Sequence, residues 1–255
     1  MPALHFQRTG TGHPVILIHG YCETLDIWRD FVPLLTHHLD VTTLDLPGFG
    51  KSPALQQPFT VDEVADTIAD FVRSQHFSEK PLPIGHSLGG YVVLSLLARY
   101  PHLFSGAGLF HSTAFADSEE KKANRNKAIE FVNRNGARHF IDSLIPNLFA
   151  DKNRIDQVQR ALDIGYQTPD STITGYAAAI RDRPDRSGLL AELSANVLII
   201  AGRQDTVVPE AVSLQMAGLA KNAVFEGLSG VGHMGMLEAP EACARAIISF
   251  ARKSR

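Results

Sequence analysis

Short apolar runs alternate with amphipathic segments along most of the chain. The runs rich in apolar and β-branched residues predict β-strands, and most are apolar on both faces, as in a parallel sheet that helices cover on both sides. These runs cover residues 4–8, 15–18, 41–46, 82–85, 108–110, 197–201 and 223–226. With helical segments between them, they predict an α/β fold with a mostly parallel, doubly wound sheet of about seven strands.

Three of the intervening segments have helical periodicity. Residues 61–72 place apolar side chains at i, i+3 and i+4, and Thr60 with Glu63 forms a capping-box pattern at their start. Residues 88–100 are apolar nearly all round, which predicts a helix buried against the sheet. Residues 238–252 predict the last helix of the chain.

Residues 113–190 break this alternation. They contain no convincing strand, and apolar stripes with helical spacing begin near residues 128, 137, 155 and 173. We therefore predict an all-helical cap (113–190) inserted into an α/β core that consists of residues 1–112 and 191–255. A set of extra crossover helices with no role over a site is the alternative interpretation.

Pro83 is unexpected inside a central strand. Proline has no N–H to donate to a neighbouring strand. Either pairing on one side of the strand begins only at Ile84, or the strand contains a bulge.

The most informative motif is Gly85-His86-Ser87-Leu88-Gly89. It lies between a predicted strand and a predicted helix, and this setting makes a G-x-S-x-G string specific for a nucleophilic serine. A serine in so sharp a turn is expected to have a positive φ, and the glycines leave room for the helix to pass close to the strand. The Ser87 hydroxyl then lies at a helix N-terminus, where N–H groups favour negative charge.

A serine hydroxyl is a weak nucleophile until a base removes its proton. Among 11 histidines, His233 is the candidate base because it lies in a glycine-rich loop after the last predicted strand. Asp205 follows the preceding predicted strand and is the candidate acid that orients His233 and stabilises its protonated form. Asp117 is kept as a second candidate acid. The chain order Ser87, Asp205, His233 is that of one triad family.

Taken together, these motifs resemble the α/β-hydrolase fold superfamily, and they occur in the family's order between residues 14 and 253. The resemblance implies a Ser-His-Asp triad and an oxyanion hole formed by the backbone N–H groups of Tyr21 and Leu88. It says little about the substrate. The matching segments are residues 19–21, 45–52, 85–90, 202–205 and 232–233.

The composition narrows the class of protein further. With 44% hydrophobic and 20% charged residues among 255, the chain is typical of a soluble globular protein. The net charge of −3 argues against a nucleic-acid partner, and no apolar run reaches the roughly 18 residues of a membrane span. The two cysteines lie far apart and the start lacks a secretory signal, so we expect a cytoplasmic protein.

No cofactor or metal is expected. Gly50-Lys51-Ser52 resembles the end of a phosphate-binding loop, but Asp45 occupies the position of the required first glycine. The cysteines and histidines lack the spacing of a zinc site.

The leading hypothesis is a serine hydrolase that cleaves a small, mostly apolar carboxylic ester through an acyl-enzyme intermediate. We expect His111, Phe115, Phe140 and Phe149 to contact this small-molecule substrate. Hydrolysis of a lactone, thioester or C–C bond, or a related lyase reaction, needs the same triad and stays open. A ligand-binding protein on the same fold, with slow or no turnover, stays open as well.

Overall fold

The computed structural model describes residues 3–253, and its strands form one seven-stranded sheet. The strands are β1 (Phe6–Gly10), β2 (His13–Ile18), β3 (Leu39–Leu44), β4 (Leu82–His86), β5 (Gly106–Phe110), β6 (Asn196–Gly202) and β7 (Ala223–Leu228). Their order is β1-β3-β2-β4-β5-β6-β7, and only the pairing of β1 with β3 is antiparallel. The predicted mostly parallel sheet is confirmed.

The first strand begins two residues later than the expected segment 4–8. Phe6 pairs with Leu44, and Gly10 pairs with Asp40, so pairing with β3 sets its limits. All five residues of β1 are exposed. Because the strand lies at the sheet edge and carries no buried face, its sequence pattern defines its ends poorly.

Strand β4 accommodates Pro83 by pairing unequally with its two neighbours. Pro83 lies opposite Ile16 of β2, whereas pairing with β5 begins only at Ile84, opposite Gly108. The first of the two expected solutions is therefore confirmed, because the missing N–H of Pro83 lies outside the ladder with β5.

Helices cover both faces of the sheet. They are α1 (Val61–Ser74), α2 (Leu88–Arg99), α3 (Glu119–Asn135), α4 (Ala137–Leu144), α5 (Ile155–Gly165), α6 (Asp170–Arg181), α7 (Ser187–Glu192), α8 (Glu210–Leu219), α9 (Gly235–Glu238) and α10 (Pro240–Ala251). Helix α1 begins with the predicted capping box, in which Thr60 accepts from the Glu63 N–H and the Glu63 carboxylate accepts from the Thr60 N–H.

The alternation of side chains along the buried strands divides the core into two clusters. Val15 and Leu17 of β2 lie in one cluster with Ile247 of α10. Ile16 and Ile18 of the same strand lie in the other, which includes the apolar faces of α1 and α2. Both faces of a strand such as β2 are therefore dry, which explains its continuous apolar sequence.

Residues 113–190, named here the helical segment, contain helices and no strand. Helices α3 to α6 lie inside this segment, and α7 crosses its predicted end at residue 190. That the segment is a separate cap with these boundaries stays a prediction.

Two further sequence expectations concern membranes and cysteines. Among residues 3–253, no helix combines the length and apolar character that a membrane crossing requires. Cys22 and Cys243 are buried free thiols. The cytoplasmic location stays a prediction.

Candidate active site

Ser87 lies in the sharp turn between β4 and α2, with φ of 49°. A Cβ atom on Gly85 would lie 2.1 Å from the carbonyl carbon of Gly89, and one on Gly89 would lie 2.3 Å from the carbonyl oxygen of Ile18. Glycine is needed at both positions because the start of α2 passes against two strands. The positive φ and the tight glycine contacts are those expected from the sequence.

A cavity, named here the Ser87 cavity, lies above this turn. Its core-side wall includes Tyr21, Ser87, Leu88 and His233. The helical segment contributes Arg125, Leu144, Leu148 and Ile180 to the opposite wall. The cavity has a volume of about 60 Å³. Its wall is therefore mostly apolar, with reactive groups concentrated at one side.

His233 and Asp205 lie together at the carboxyl edge of the sheet. His233 Nδ1 is 2.8 Å from Asp205 Oδ2, and both side chains are buried. The other oxygen, Asp205 Oδ1, accepts the backbone N–H groups of Val207 and Val208 at 2.8 and 2.9 Å. Burial alone raises the pKa of Asp205, but the nearby His233 and the hydrogen bonds of both neighbouring imidazoles hold that pKa well below its usual range. The acid is therefore an ionised partner for the imidazole.

Ser87 and His233 line the same cavity. Among the hydrogen bonds of residues 3–253, none joins the two side chains. Such contacts are often loose in free enzymes and tighten when substrate binds. The structure thus brings the imidazole and the carboxylate into direct contact, and it brings the serine to the same cavity.

Tyr21 and Leu88 present backbone N–H groups beside Ser87. Tyr21 follows β2 in a turn where Cys22 has φ of 61°, and Leu88 is the first residue of α2. Within residues 3–253, neither N–H group has a hydrogen-bond acceptor. Two such donors next to a nucleophile can stabilise an oxygen that gains negative charge during a reaction.

His111 is buried behind the acid and is absent from the cavity wall. Its Nδ1 lies 3.2 Å from Asp205 Oδ2 and 3.2 Å from the backbone nitrogen of Gly202. The first contact needs a proton on Nδ1 and the second needs a lone pair, so the tautomer decides which hydrogen bond forms. Burial lowers the pKa of His111 to about 4, so the ring is neutral at neutral pH.

The three phenylalanines expected to contact substrate are also absent from the wall that the described residues form. Phe140 packs edge-on against Tyr21 with ring centres 6.1 Å apart, Phe149 is buried in the first core cluster, and Phe115 packs against the second. Asp117 pairs with Arg125 and Arg183, whereas the carboxylate that contacts His233 is Asp205.

A buried pair in the cavity wall that the sequence pattern did not reveal is formed by Glu23 and His86. Glu23 Oε2 lies 3.0 Å from His86 Nδ1 and accepts the Gly20 N–H at 2.6 Å, and His86 Nε2 lies 2.8 Å from the carbonyl oxygen of His233. Burial alone would lower the pKa of His86, but the Glu23 carboxylate outweighs burial, and the pKa of His86 is raised. Burial alone would raise the pKa of Glu23, but the His86 imidazole outweighs burial, and the pKa of Glu23 is lowered. The ionised pair thereby joins the Tyr21 turn, the Ser87 turn and the His233 loop.

Arg125 is a third residue of the cavity wall that the sequence pattern did not reveal. It lies on α3, whose first turn carries a run of exposed charges that indicates a solvated face. Helical periodicity alone gave no signal that one of its basic residues faces the Ser87 cavity.

Within residues 3–253, the group that most resembles a set of metal ligands consists of Asp205 and its two neighbouring histidines. Donor atoms of His111, Asp205 and His233 all lie within 4.8 Å of one another. The contacts of Asp205 Oδ2 with both imidazoles account for this grouping. The expectation that no metal or cofactor takes part stays a prediction.

Comparisons with known proteins bear on the fold and on the broad class of this chain. A sequence model of the alpha/beta hydrolase fold matches residues 13–240. The 2-hydroxy-6-oxo-6-(2'-aminophenyl)hexa-2,4-dienoic acid hydrolase of Metapseudomonas resinovorans is 26% identical, over 96% of this chain and 86% of that protein. A pimeloyl-(acyl-carrier protein) methyl ester esterase of Methylococcus capsulatus is 27% identical, over 98% and 99%. The malate-bound structure of an esterase from Thermogutta terrifontis has a TM-score of 0.93 and 29% identity, over 98% of this chain and 93% of that one.

Proposed function

Because the chain belongs to the α/β-hydrolase fold family, we propose that it is a serine hydrolase that cleaves a small, mostly apolar carboxylic ester. Ser87 is the nucleophile, His233 the general base and Asp205 its acid partner. The observation that carries this proposal is the 2.8 Å contact between His233 Nδ1 and Asp205 Oδ2 at the wall of the cavity that Ser87 also lines.

The reaction proceeds through a covalent intermediate. His233 takes the proton of Ser87 as the hydroxyl oxygen attacks the ester carbonyl carbon. The tetrahedral intermediate collapses, the bond between the carbonyl carbon and the alcohol oxygen breaks, and His233 returns the proton to the leaving alcohol. Water then attacks the acyl-enzyme with His233 as base, which releases the carboxylic acid and restores Ser87.

Two features of the site lower the barrier. The N–H groups of Tyr21 and Leu88 stabilise the oxyanion of the tetrahedral intermediate, an effect of roughly 3–4 kcal/mol for each donor. Asp205, whose pKa lies well below its usual range, stays ionised and stabilises the protonated imidazole. Each step uses side chains of this chain and water.

The cavity and the relatives support an ester of modest size. Leu144, Leu148, Ile180 and Val207 give the wall an apolar surface, which suits an apolar acyl group. Two similar proteins are esterases by name. The helical segment forms part of the cavity wall and thereby limits the access of bulk water.

Hydrolysis of a C–C bond is the second candidate reaction. The hexa-2,4-dienoic acid hydrolase is similar over nearly the whole chain, and such a reaction is compatible with the same triad. Ester hydrolysis is preferred because two similar proteins are esterases by name and the mostly apolar wall suits an apolar acyl group.

The test combines covalent labelling with a substrate panel. A fluorophosphonate probe is expected to label the wild-type protein and not Ser87→Ala, and Ser87→Ala is expected to keep the fold but lose ester hydrolysis. The panel holds esters of graded acyl length, thioesters, lactones and a vinylogous diketone. More than a few per cent of wild-type rate in Ser87→Ala would remove Ser87 from its role, and an unlabelled wild type would favour a ligand-binding protein without turnover.

A further inference from the structure

Arg125 is a cation in the wall of an otherwise mostly apolar cavity. The other ionisable side chains next to Ser87 have ionisable partners of their own: Glu23 contacts His86, and His233 contacts Asp205. Arg125 comes from α3 of the helical segment, on the side of the cavity that faces Ser87 and Tyr21. An incoming substrate therefore meets a guanidinium group opposite the nucleophile.

Among residues 3–253, the guanidinium of Arg125 has a hydrogen-bond acceptor only at its Nε atom. Arg125 Nε donates to Asp117 Oδ2 at 3.2 Å, while its two terminal NH₂ groups have no acceptor among residues 3–253. Guanidinium groups bind carboxylates through paired N–H donors. The unused donors of Arg125 thus have the chemistry of a carboxylate receptor.

The charges around Asp117 leave Arg125 without a full counter-ion. The Asp117 carboxylate also lies 2.8 Å from Arg183 Nη1, and Arg183 is buried. One carboxylate therefore contacts two guanidinium groups, and among residues 3–253 Arg125 has no second ion-pair partner, whereas Arg183 also lies near Asp185. A partly desolvated charge of this kind is stabilised by an anion that enters the cavity.

Arg183 does not compete for that anion. Its guanidinium donates to the carbonyl oxygens of Ile180 and Phe115 at 2.8 and 2.9 Å, and it stacks over the Tyr91 ring at 4.1 Å. Arg125 has none of these additional contacts, and about a quarter of its side chain, 27%, is exposed. The cation available to a ligand is therefore Arg125.

We propose that Arg125 determines specificity by binding a carboxylate on the substrate, so that the preferred esters are short monoesters of dicarboxylic acids. This inference rests on the proposed ester hydrolysis. The apolar wall holds the methylene chain, the ester carbonyl lies at Ser87, and the distal carboxylate pairs with the terminal NH₂ groups of Arg125. Hydrolysis then consumes water and releases the alcohol and a dicarboxylate.

The experiment compares two esters of the same shape and different charge. Monoethyl glutarate ends in a carboxylate, whereas ethyl 5-methylhexanoate carries an isopropyl group at the same position. We expect the wild type to have the higher kcat/KM for monoethyl glutarate. In Arg125→Gln, the ratio of the two kcat/KM values is expected to fall about 10- to 100-fold through a higher KM for the charged ester, the usual effect of a lost charge-assisted hydrogen bond. Arg125→Lys is expected to retain part of the ratio.

Lys121→Gln is the matched control. Lys121 lies on the same helix and is exposed, so its replacement makes the same change in net charge away from the cavity. It is expected to leave the ratio unchanged. Circular dichroism and thermal unfolding check that each variant is folded.

A second measurement does not need turnover. Monoethyl glutarate is expected to slow fluorophosphonate labelling of Ser87 in the wild type at lower concentrations than in Arg125→Gln, while ethyl 5-methylhexanoate protects both equally. An unchanged ratio and equal protection in Arg125→Gln would overturn the role of Arg125 and leave the proposed serine hydrolase standing. A wild type that the fluorophosphonate probe does not label and that hydrolyses neither ester would overturn the proposed function, and this inference with it.

Discussion

At the scale of single residues, a buried ion pair lies next to Ser87 at the wall of the Ser87 cavity. Glu23 and His86 are almost fully buried, yet their ionised forms stabilise each other. A buried pair of this kind adds little net stability, but removal of one partner is costly because the other is left without compensation. Its position between three loops indicates that it orients them.

The pair predicts a pH-dependent cost for Glu23→Gln. Since the pKa of His86 is raised above 6.5, His86 contributes to the free energy of unfolding below pH 6.5. This contribution is lost as the pH rises through the pKa of His86 in the folded state. Since the pKa of Glu23 is lowered below 4.5, its contribution is present above that pH and is lost as the pH falls through the folded-state value. Glu23→Gln should therefore lower the free energy of unfolding by about 1–3 kcal/mol near pH 6, and by less at pH 9.

Urea unfolding at the two pH values measures this difference. Glu119→Gln is the control, because Glu119 forms an exposed pair with Lys122 and should have only a small effect at either pH. An equal loss of stability for Glu23→Gln at pH 6 and pH 9 would contradict the ionised pair.

At the scale of elements, the strand–turn–helix unit of β4 and α2 fixes the position of Ser87. The Ser87 N–H donates to the carbonyl oxygen of Phe110 at 2.9 Å, and the start of α2 lies against the end of β2. The position of the Leu88 N–H follows directly from this close approach. A change in the distance between helix and strand should therefore affect both folding and the oxyanion donors.

Gly89→Ala tests this close approach. Its Cβ would meet the backbone carbonyl oxygens of Ile18 and His19 at 2.3 and 2.8 Å, and backbone atoms at a strand end cannot move aside cheaply. We expect a loss of about 3 kcal/mol in the free energy of unfolding. Gly218→Ala is the matched control, because Gly218 lies in α8 with nothing within 4 Å of the added methyl group. The free energy of unfolding of this variant should rise by about 0.5–1 kcal/mol. Thermal unfolding of Gly89→Ala at the wild-type temperature would contradict the steric argument.

At the scale of the whole molecule, the helical segment holds the loop that carries His233. The His233 N–H donates to the carbonyl oxygen of Leu148 at 2.7 Å. The buried carboxylate of Glu238 accepts the N–H of Ala150 from the helical segment at 2.8 Å, and the N–H groups of Gly232 and Met234 at 2.9 and 3.1 Å. One acidic side chain thus joins the segment to the residues on both sides of His233.

Glu238→Gln should therefore misplace the base. An amide has one acceptor oxygen, so the N–H of Ala150 or those of Gly232 and Met234 would lose their partner. We expect kcat for ester hydrolysis to fall about 10- to 100-fold with little change in KM, as small displacements of catalytic groups do. Glu241→Gln, an exposed position in α10, is the control. Wild-type kcat in a folded Glu238→Gln would show that the loop keeps its position without this contact.

The sequence alone determined the fold class and the placement of Ser87, Asp205 and His233 at the ends of strands. These features depend on short-range patterns: apolar runs of strand length, helical periodicity, and glycines where a helix must pass close to a strand. The missing N–H of Pro83 left two solutions, unequal pairing or a bulge, and the structure has the unequal pairing.

Only the tertiary structure decided which side chains surround the nucleophile. Glu23 and His86 are 63 positions apart, and Arg125 shares its helix with exposed charges. Likewise, His111 lies behind Asp205, Phe149 lies in a core cluster, and Phe115 and Phe140 pack against the clusters. The physical reason is that periodicity shows which face of a helix is apolar, whereas the docking of that helix on the sheet decides whether a given side chain meets the core, the solvent or the cavity.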